Sequence, residues 1–154
     1  MTISFFGHRT FVPDDELKLK ILEEIKTCSH GENVCFLLGG YGNFDSFSFS
    51  VANEYKKSYS DTRLFFVTPY INETYQENKI SAYADEVDEV IYPPLEKVPQ
   101  KFAIVYRNRY MVDMSDIVIF YVKRSFGGAY QAMQYAKKKG KMIINYAEEI
   151  LGAL

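Results

Sequence analysis

The stretch that decides the fold runs from residue 111 to residue 136 and reads MVDMSDIVIFYVKRSFGGAYQAMQYA. Its apolar run at residues 117–122 is too short for a helix and is rich in β-branched and aromatic residues, which predicts a strand buried on both faces of a sheet. Helical composition resumes at Tyr130, so Gly127 and Gly128 lie at a strand-to-helix turn. Because glycine lets the backbone approach a ligand and the first amides of a helix carry partial positive charge, this turn predicts an anion site.

The composition is that of a globular chain with little net charge. The 154 residues are 47% apolar and 16% aromatic, which suits one domain spanning residues 1–154 with a sizeable core. The net charge of -2 argues against direct nucleic-acid binding and against attraction to an anionic membrane. The start has no basic leader, and no apolar run approaches the roughly 18 residues of a membrane span, so we expect a cytoplasmic protein.

Short apolar runs alternate with helical periodicity along the rest of the chain. Further strands are predicted at residues 2–6, 34–38, 64–67, 89–92 and 142–145. Helices are predicted at about residues 15–30, 45–55, 73–83 and 102–112, after Gly128, and in the tail from residue 148. This alternation predicts an α/β fold in which helices cover both faces of a mainly parallel sheet.

Right-handed crossovers bring every strand-to-helix loop to one edge of such a sheet, and ligands bind at that edge. The loops predicted there are Gly7-His8-Arg9, residues 39–45, Thr68-Pro69 and residues 123–128. Paired glycines and basic residues suit a phosphate-bearing ligand, because backbone amides and arginine side chains are what phosphate oxygens require.

Each of these residues also has a structural interpretation. Residues 39–42 fit neither the Gly-x-Gly-x-x-Gly dinucleotide fingerprint nor a P-loop, and they could form a plain turn. Asp45 is either the N-cap of the next helix or a contact to a ligand hydroxyl group. His8 is either a satisfied loop histidine or a ligand contact. Arg107 and Asn108 lie on a helix face that could simply be solvated.

Other chemistries lack their sequence signatures. The chain has no Gly-x-Ser-x-Gly elbow, no His-Glu-x-x-His and only two histidines. Cys28 and Cys35 have neither a metal-ligand spacing nor a triad signature, and we expect both to be reduced. We therefore expect no metal and no cofactor. Tyr41 or Tyr130 could stack on a base.

Three short motifs, in this order along the chain, resemble the SLOG superfamily. They are Gly7-His8-Arg9, then Gly39-Gly40-x-Gly42-x-x-Asp45, then Tyr106-Arg107-Asn108-x-x-Met111-Val112-Asp113-x-Ser115-Asp116 before Gly127-Gly128. Within the superfamily, the chain looks most like the small stand-alone YpsA-like members. The resemblance implies a Rossmann-like three-layer α/β/α sandwich that binds a nucleotide or nucleotide-derived molecule, and it favours a homodimer or larger homo-oligomer.

The superfamily also includes the LOG phosphoribohydrolases, which release a base from a nucleoside monophosphate, and the DNA-processing DprA proteins. Arg107, Asn108 and Met111 look like the Arg-Lys-x-x-Met segment of the LOG enzymes, so Arg107 matches an arginine of their active site. The LOG motif Pro-Gly-Gly-x-Gly-Thr-x-x-Glu is poorly kept, and Ala132 occupies the position of its catalytic glutamate. Cleavage of an N-glycosidic bond builds positive charge on the ribose, which a carboxylate stabilises and an alanine does not.

The motifs lead to one main hypothesis and two alternatives. The main hypothesis is a sensor or carrier that binds a nucleotide or nucleotide-derived small molecule at the carboxyl edge of the sheet. The first alternative is a LOG-like nucleotide N-glycosidase or related hydrolase, with Arg107 and Asp45 as candidate catalytic residues. The second is an interaction module in DNA processing. The candidate ligand-binding residues are Gly7, His8, Arg9, Gly39, Gly40, Gly42, Asp45, Pro69, Arg107, Asn108, Ser125, Gly127 and Gly128.

Overall fold

The computed structural model describes residues 1–40, 42–70 and 86–147. The strands in these ranges are β1 (Thr2–Gly7), β2 (Cys35–Leu38), β3 (Arg63–Val67), β4 (Glu89–Ile91), β5 (Ile117–Tyr121) and β6 (Met142–Asn145). The helices are α1 (Asp15–Cys28), α2 (Asn43–Ser58), α3 (Ala103–Met114) and α4 (Gly128–Lys138), and a 3-10 turn at Gln100–Phe102 precedes α3. The predicted helices at residues 73–83 and 148–154, and the proposed stacking of Tyr41, lie outside the described residues.

The strands form one sheet in the order β4-β3-β2-β1-β5-β6, and every neighbouring pair is parallel. The predicted α/β fold with a parallel sheet is therefore confirmed. The chain first adds strands on one side of β1 as far as β4, and then crosses back to place β5 on the other side of β1. The strand order reverses between β1 and β5, and an open α/β sheet leaves a crevice at such a switch point.

Helices cover both faces of the sheet. Successive residues of a strand point to opposite faces, so neighbouring residues of β1 pack against different helices. Phe5 belongs to the apolar cluster shared with α1 and α2, where its ring lies 5.8 Å from that of Phe36. Phe6 belongs to the cluster shared with α3 and α4, where its ring lies 5.6 Å from that of Phe120. The result is the three-layer α/β/α arrangement.

A buried polar contact fixes α3 against β1. Ser115 Oγ donates a hydrogen bond to the carbonyl oxygen of Met111 at 2.6 Å. Ser4 Oγ of β1 lies 3.1 Å from the same carbonyl oxygen and 2.5 Å from Ser115 Oγ. Because α3 runs antiparallel to the strands, this anchor directs its N-terminal half, including Arg107, to the carboxyl edge of the sheet.

No helix in the described ranges is long and apolar enough to cross a membrane.

Candidate functional site

A crevice of about 190 Å³ opens at the switch point between β1 and β5. Its walls come from the loop after β1, the loop between β2 and α2, the middle of α3, and the loop that leads from β5 into α4. It brings together the predicted residues Gly7, His8, Arg9, Gly39, Asp45, Arg107, Asn108, Gly127 and Gly128. Gly40, Gly42, Pro69 and Ser125 are not among its lining residues. Ligand contact by any of these residues stays a prediction.

Gly42 has a structural role beside the crevice. Its φ of 91° lies in the left-handed region, and a Cβ added there would lie 2.6 Å from the Cα of Arg9. The amide of Asn43 donates to the Arg9 carbonyl oxygen at 3.0 Å, so the start of α2 is joined to the loop after β1. Only glycine allows this close approach without strain.

The turn after β3 is held by hydrogen bonds between its own residues. Thr68 Oγ1 donates to the carbonyl oxygen of Tyr70 at 2.7 Å and accepts from its amide at 3.2 Å. Pro69 is buried within this turn. Thr68 and Pro69, which the sequence predicts at the site, are not among the residues that line the crevice.

Arg107 is buried in the crevice wall, so the interpretation of this position as a solvated helix face is wrong. Its side chain is only 3% exposed. One terminal nitrogen, Nη1, donates to the carbonyl oxygen of Val67 at 2.8 Å, and Nε donates to Asn108 Oδ1 at 2.9 Å. A buried charge is tolerated only when it is hydrogen-bonded, and these bonds fix the guanidinium in place.

Asp45 is not the N-cap of α2, because that helix begins at Asn43 with Gly42 as its cap. Asp45 instead lies in the first turn, where the helix dipole stabilises a carboxylate. A Cβ added at Gly39 would lie 3.2 Å from Arg107 Nη1 and 3.4 Å from Asp45 Oδ2. The absence of a side chain at Gly39 thus leaves space for a guanidinium and a carboxylate at the same point of the crevice.

His8 connects the two loops that face each other across the switch point. The amide of Lys123 donates to His8 Nε2 at 2.8 Å, so the neutral ring carries its proton on Nδ1. Burial lowers the pKa of His8, and the nearby charges of Arg124 and Lys123 lower it further. His8 is therefore a neutral acceptor that positions the loop after β5.

The N-terminus of α4 forms one end of the crevice. Gly127 is its N-cap, has a φ of 94° and provides no side-chain hydrogen bond to the first amides of the helix. A Cβ added at Gly127 or Gly128 would meet nothing within 4 Å. The start of α4 is therefore bordered by open space, and helix N-termini of this kind attract anions.

Arg124 and Phe126 are lining residues that the sequence interpretation missed. The guanidinium of Arg124 lies 4.7 Å from the centre of the Phe126 ring, and this ring is 65% exposed. The available signal was an arginine and an aromatic residue directly before a glycine pair. Among the lining residues that the structure describes, Arg124 joins Arg9 and Arg107 to give three arginines against one carboxylate, that of Asp45.

Within the described ranges, no group of three or more His, Cys, Asp or Glu residues is placed to hold a metal ion.

Comparison with known proteins gives the fold of this chain. No protein-family model and no curated protein matches it. DNA processing protein A (DprA) from Streptococcus pneumoniae is similar in structure, with a TM-score of 0.61 and 14% identity over 92% of this chain and 48% of that one. DprA from Helicobacter pylori has a TM-score of 0.63 and 16% identity over 99% of this chain and 72% of that one. The chain thus has a Rossmann-like fold also found in DprA and spans about half the length of the S. pneumoniae protein.

The expectation that argued against direct nucleic-acid binding is wrong. H. pylori DprA, which shares this fold, is a protein with a single-stranded DNA binding mode, so a net charge near zero does not argue against such binding for this fold. The physical reason is that net charge averages over a whole surface, whereas binding depends on the local charge. Here the overall charge is -2, yet arginines outnumber carboxylates among the described residues that line the crevice.

Proposed function

We propose that the crevice binds the phosphoryl group of a nucleotide or nucleotide-derived small molecule, and that the protein acts as a sensor or carrier of that ligand. The observation that best supports the proposal is that the N-terminus of α4 and the buried Arg107 line the same crevice at the switch point. Open α/β sheets bind ligands at this position, and phosphate is the ligand group that both features favour.

The size of the crevice indicates which part of the ligand it encloses. Its volume of about 190 Å³ is below the ~300–1,000 Å³ of pockets that enclose drug-sized ligands. This volume suits a phosphoryl group and a sugar better than a complete dinucleotide. We therefore expect the rest of the ligand to extend beyond the crevice.

The proposal is tested by the melting temperature in the presence of mono-, di- and cyclic nucleotides and ADP-ribose. A ligand at 100 times its dissociation constant adds about 2.7 kcal/mol to stability. Arg124→Ala should reduce this effect, because it removes a cation from the crevice rim. Arg63→Ala is the matched control, since Arg63 is also an exposed arginine stacked on a phenylalanine, 5.4 Å from the Phe65 ring, but lies outside the crevice. A panel without any shift would contradict the proposal.

Single-stranded DNA is the second candidate ligand, and the similarity in fold to H. pylori DprA favours it. Fluorescence anisotropy with a labelled oligonucleotide at 50 and 200 mM salt separates the two candidates. Binding through several phosphates weakens steeply with salt, whereas a mononucleotide site involves few phosphate contacts. Oligonucleotide binding without any response to mononucleotides would favour this candidate over the first.

N-glycosidic hydrolysis of the LOG type has weaker support. Ala132, at the position of the LOG glutamate, is 5% exposed and belongs to the apolar cluster between the sheet and α4. Any such reaction would depend on Asp45, which does line the crevice.

The proposal also includes membership of the SLOG superfamily as a single YpsA-like domain over residues 1–154, a cytoplasmic location and a homodimeric or larger assembly. Light scattering coupled to size-exclusion chromatography would test the assembly.

A further inference from the structure

The side chain of Asn145 holds the end of β5 from outside the crevice. Asn145 is the last residue of β6, and it is not among the residues that line the crevice. Its Oδ1 accepts a hydrogen bond from the amide of Val122 at 3.0 Å, and its Nδ2 donates to the carbonyl oxygen of Val122 at 3.1 Å. Both backbone groups of Val122 are therefore bonded to one side chain.

These two bonds occur just beyond the end of the sheet. The pairing of β5 with β6 ends at Phe120 and Asn145. The pairing of β5 with β1 ends at Gly7 and Tyr121, one residue further along β5. Val122 comes next and is only 5% exposed, and a buried backbone amide or carbonyl without a partner is costly. The asparagine amide replaces the missing strand, because it has a donor and an acceptor side by side like a peptide group.

Further contacts keep the Asn145 amide in this orientation. Oδ1 also accepts from the amide of Ala147 at 3.2 Å, and Nδ2 lies 3.6 Å from Sδ of Met133 in α4. Rotation of the side-chain amide by half a turn would place its NH2 group against two backbone amides, so the partners determine which end donates and which accepts. The side chain is thus fixed before any ligand binds.

The loop at residues 123–127 depends on bonds of this kind for its position. It forms one wall of the crevice and carries Arg124. All of its residues are exposed, so packing against the core does not fix it. Hydrogen bonds at its root do so instead, and one side chain on each flank of β5 provides them: Asn145 of β6 and His8 of the loop after β1.

We propose that Asn145 is a positioning residue for phosphoryl binding, which holds the end of β5 so that Arg124 and the N-terminus of α4 stay at the crevice. This inference rests on the proposed function and adds to it a residue outside the crevice lining. Without the Asn145 amide, the end of β5 and the loop sample other positions, and a ligand binds only the competent one. The apparent dissociation constant then rises by the inverse of the competent fraction.

Isothermal titration calorimetry with ribose 5-phosphate and with ADP-ribose tests this role. Asn145→Ala should raise the dissociation constant of a probe that binds the wild type by about tenfold, which corresponds to a competent fraction of about one tenth. Asn145→Asp keeps the acceptor for the amide of Val122 and loses the donor to its carbonyl oxygen. It should also raise the dissociation constant at neutral pH, and it provides the measurement if Asn145→Ala does not fold.

Thr62→Val is the matched control. Thr62 Oγ1 accepts from the amide of Val34 at 3.2 Å, so this buried side chain also bonds the backbone next to a neighbouring strand. Thr62 precedes β3 and Val34 precedes β2, which places their bond at the amino edge of the sheet, opposite the crevice. Loss of this bond should lower the melting temperature and leave the dissociation constant within about twofold of the wild-type value.

Hydrogen exchange without ligand measures the loop directly. The amide of Lys123 donates to His8 Nε2 at 2.8 Å rather than to Asn145, so its exchange reports release of the loop and not the loss of its own partner. In Asn145→Ala this amide should exchange faster than in the wild type, whereas the amides of β3 should exchange at the wild-type rate. A residue that only stabilised the whole fold would change exchange in both places.

The possible results separate this inference from the proposed function. If a probe bound the wild type and Asn145→Ala equally well, Asn145 would have no positioning role and the proposed function would stand. If neither probe bound the wild type, both would fail. Equal weakening in Thr62→Val would assign the effect to general loss of stability, and unchanged exchange of the Lys123 amide in Asn145→Ala would show that the loop had not moved. Either result would overturn the inference.

Discussion

Replacing Gly128 with alanine should weaken phosphate binding without destabilising the fold. Gly128 is the first residue of α4, its φ is outside the left-handed region, and an added Cβ would meet nothing within 4 Å. We expect the free energy of unfolding to stay the same or to rise by about 0.4–1 kcal/mol, because alanine restricts the unfolded chain. In a chain of this size, 1 kcal/mol corresponds to roughly 2–4 °C in melting temperature.

The effect on ligand binding should be larger and of opposite sign. The added methyl group would occupy open space in the crevice, where a phosphate oxygen would approach the amides of α4. Loss of one hydrogen bond to a charged group costs about 1.5–3 kcal/mol, which is at least tenfold in the dissociation constant. At a ligand concentration of 100 times the wild-type constant, stabilisation would fall from about 2.7 to about 1.4 kcal/mol or less.

Differential scanning fluorimetry with and without ligand measures both effects on the same samples. Gln134→Ala is a suitable control, because Gln134 is exposed on α4 and outside the crevice lining. If Gly128→Ala kept the full ligand-induced rise in melting temperature, the ligand would not lie at the N-terminus of α4. A fall of several degrees without ligand would refute the conclusion that the added methyl group has space.

Three further predictions follow from other residues of the site. Gly42→Ala should lower the free energy of unfolding by more than about 2 kcal/mol. The left-handed φ alone costs a non-glycine residue about 1–2 kcal/mol, and the added Cβ would lie 2.6 Å from the Cα of Arg9. An unchanged midpoint of urea unfolding would contradict this prediction. The pKa of His8 is lowered in the folded protein, so below pH 6.5 the unfolded chain binds more protons than the folded one. The contribution of His8 to stability is therefore present above pH 6.5 and is lost as the pH falls through the lower pKa of the folded state. His8→Gln keeps a neutral acceptor for the amide of Lys123. In urea unfolding between pH 7.5 and 5, the free energy of unfolding of this variant should therefore fall less than that of the wild type. An identical fall in the two proteins would assign the pH dependence to another group. Long incubation with nucleoside monophosphates should release no free base detectable by chromatography, whereas release that disappears in Asp45→Asn would establish the N-glycosidase.

The strands could be predicted closely because parallel strands buried on both faces are continuous apolar runs between turn residues. The predicted strand at residues 117–122 is Ile117–Tyr121 in the structure, and that at residues 34–38 is Cys35–Leu38. The start of α2 was predicted less well. N-cap preferences favour Asp45, but the positive φ of Gly42 allows the helix to begin at Asn43.

The environment of Arg107 could not be predicted from local sequence. One of its acceptors is the carbonyl oxygen of Val67, which lies 40 positions away along the chain at the end of β3. The periodicity of α3 indicates which residues share a helix face, but it does not specify which strand ends lie against that face. Burial of a charged residue depends on that distant acceptor, and the pattern of a single helix therefore leaves it undetermined.

The same limitation explains why an acidic chain can have a cationic crevice. Arg9 follows β1, Arg107 lies on α3, and Arg124 follows β5, so these residues come together only because β5 pairs with β1. That pairing places the reversal of strand order between the two loops, and composition contains no information about it.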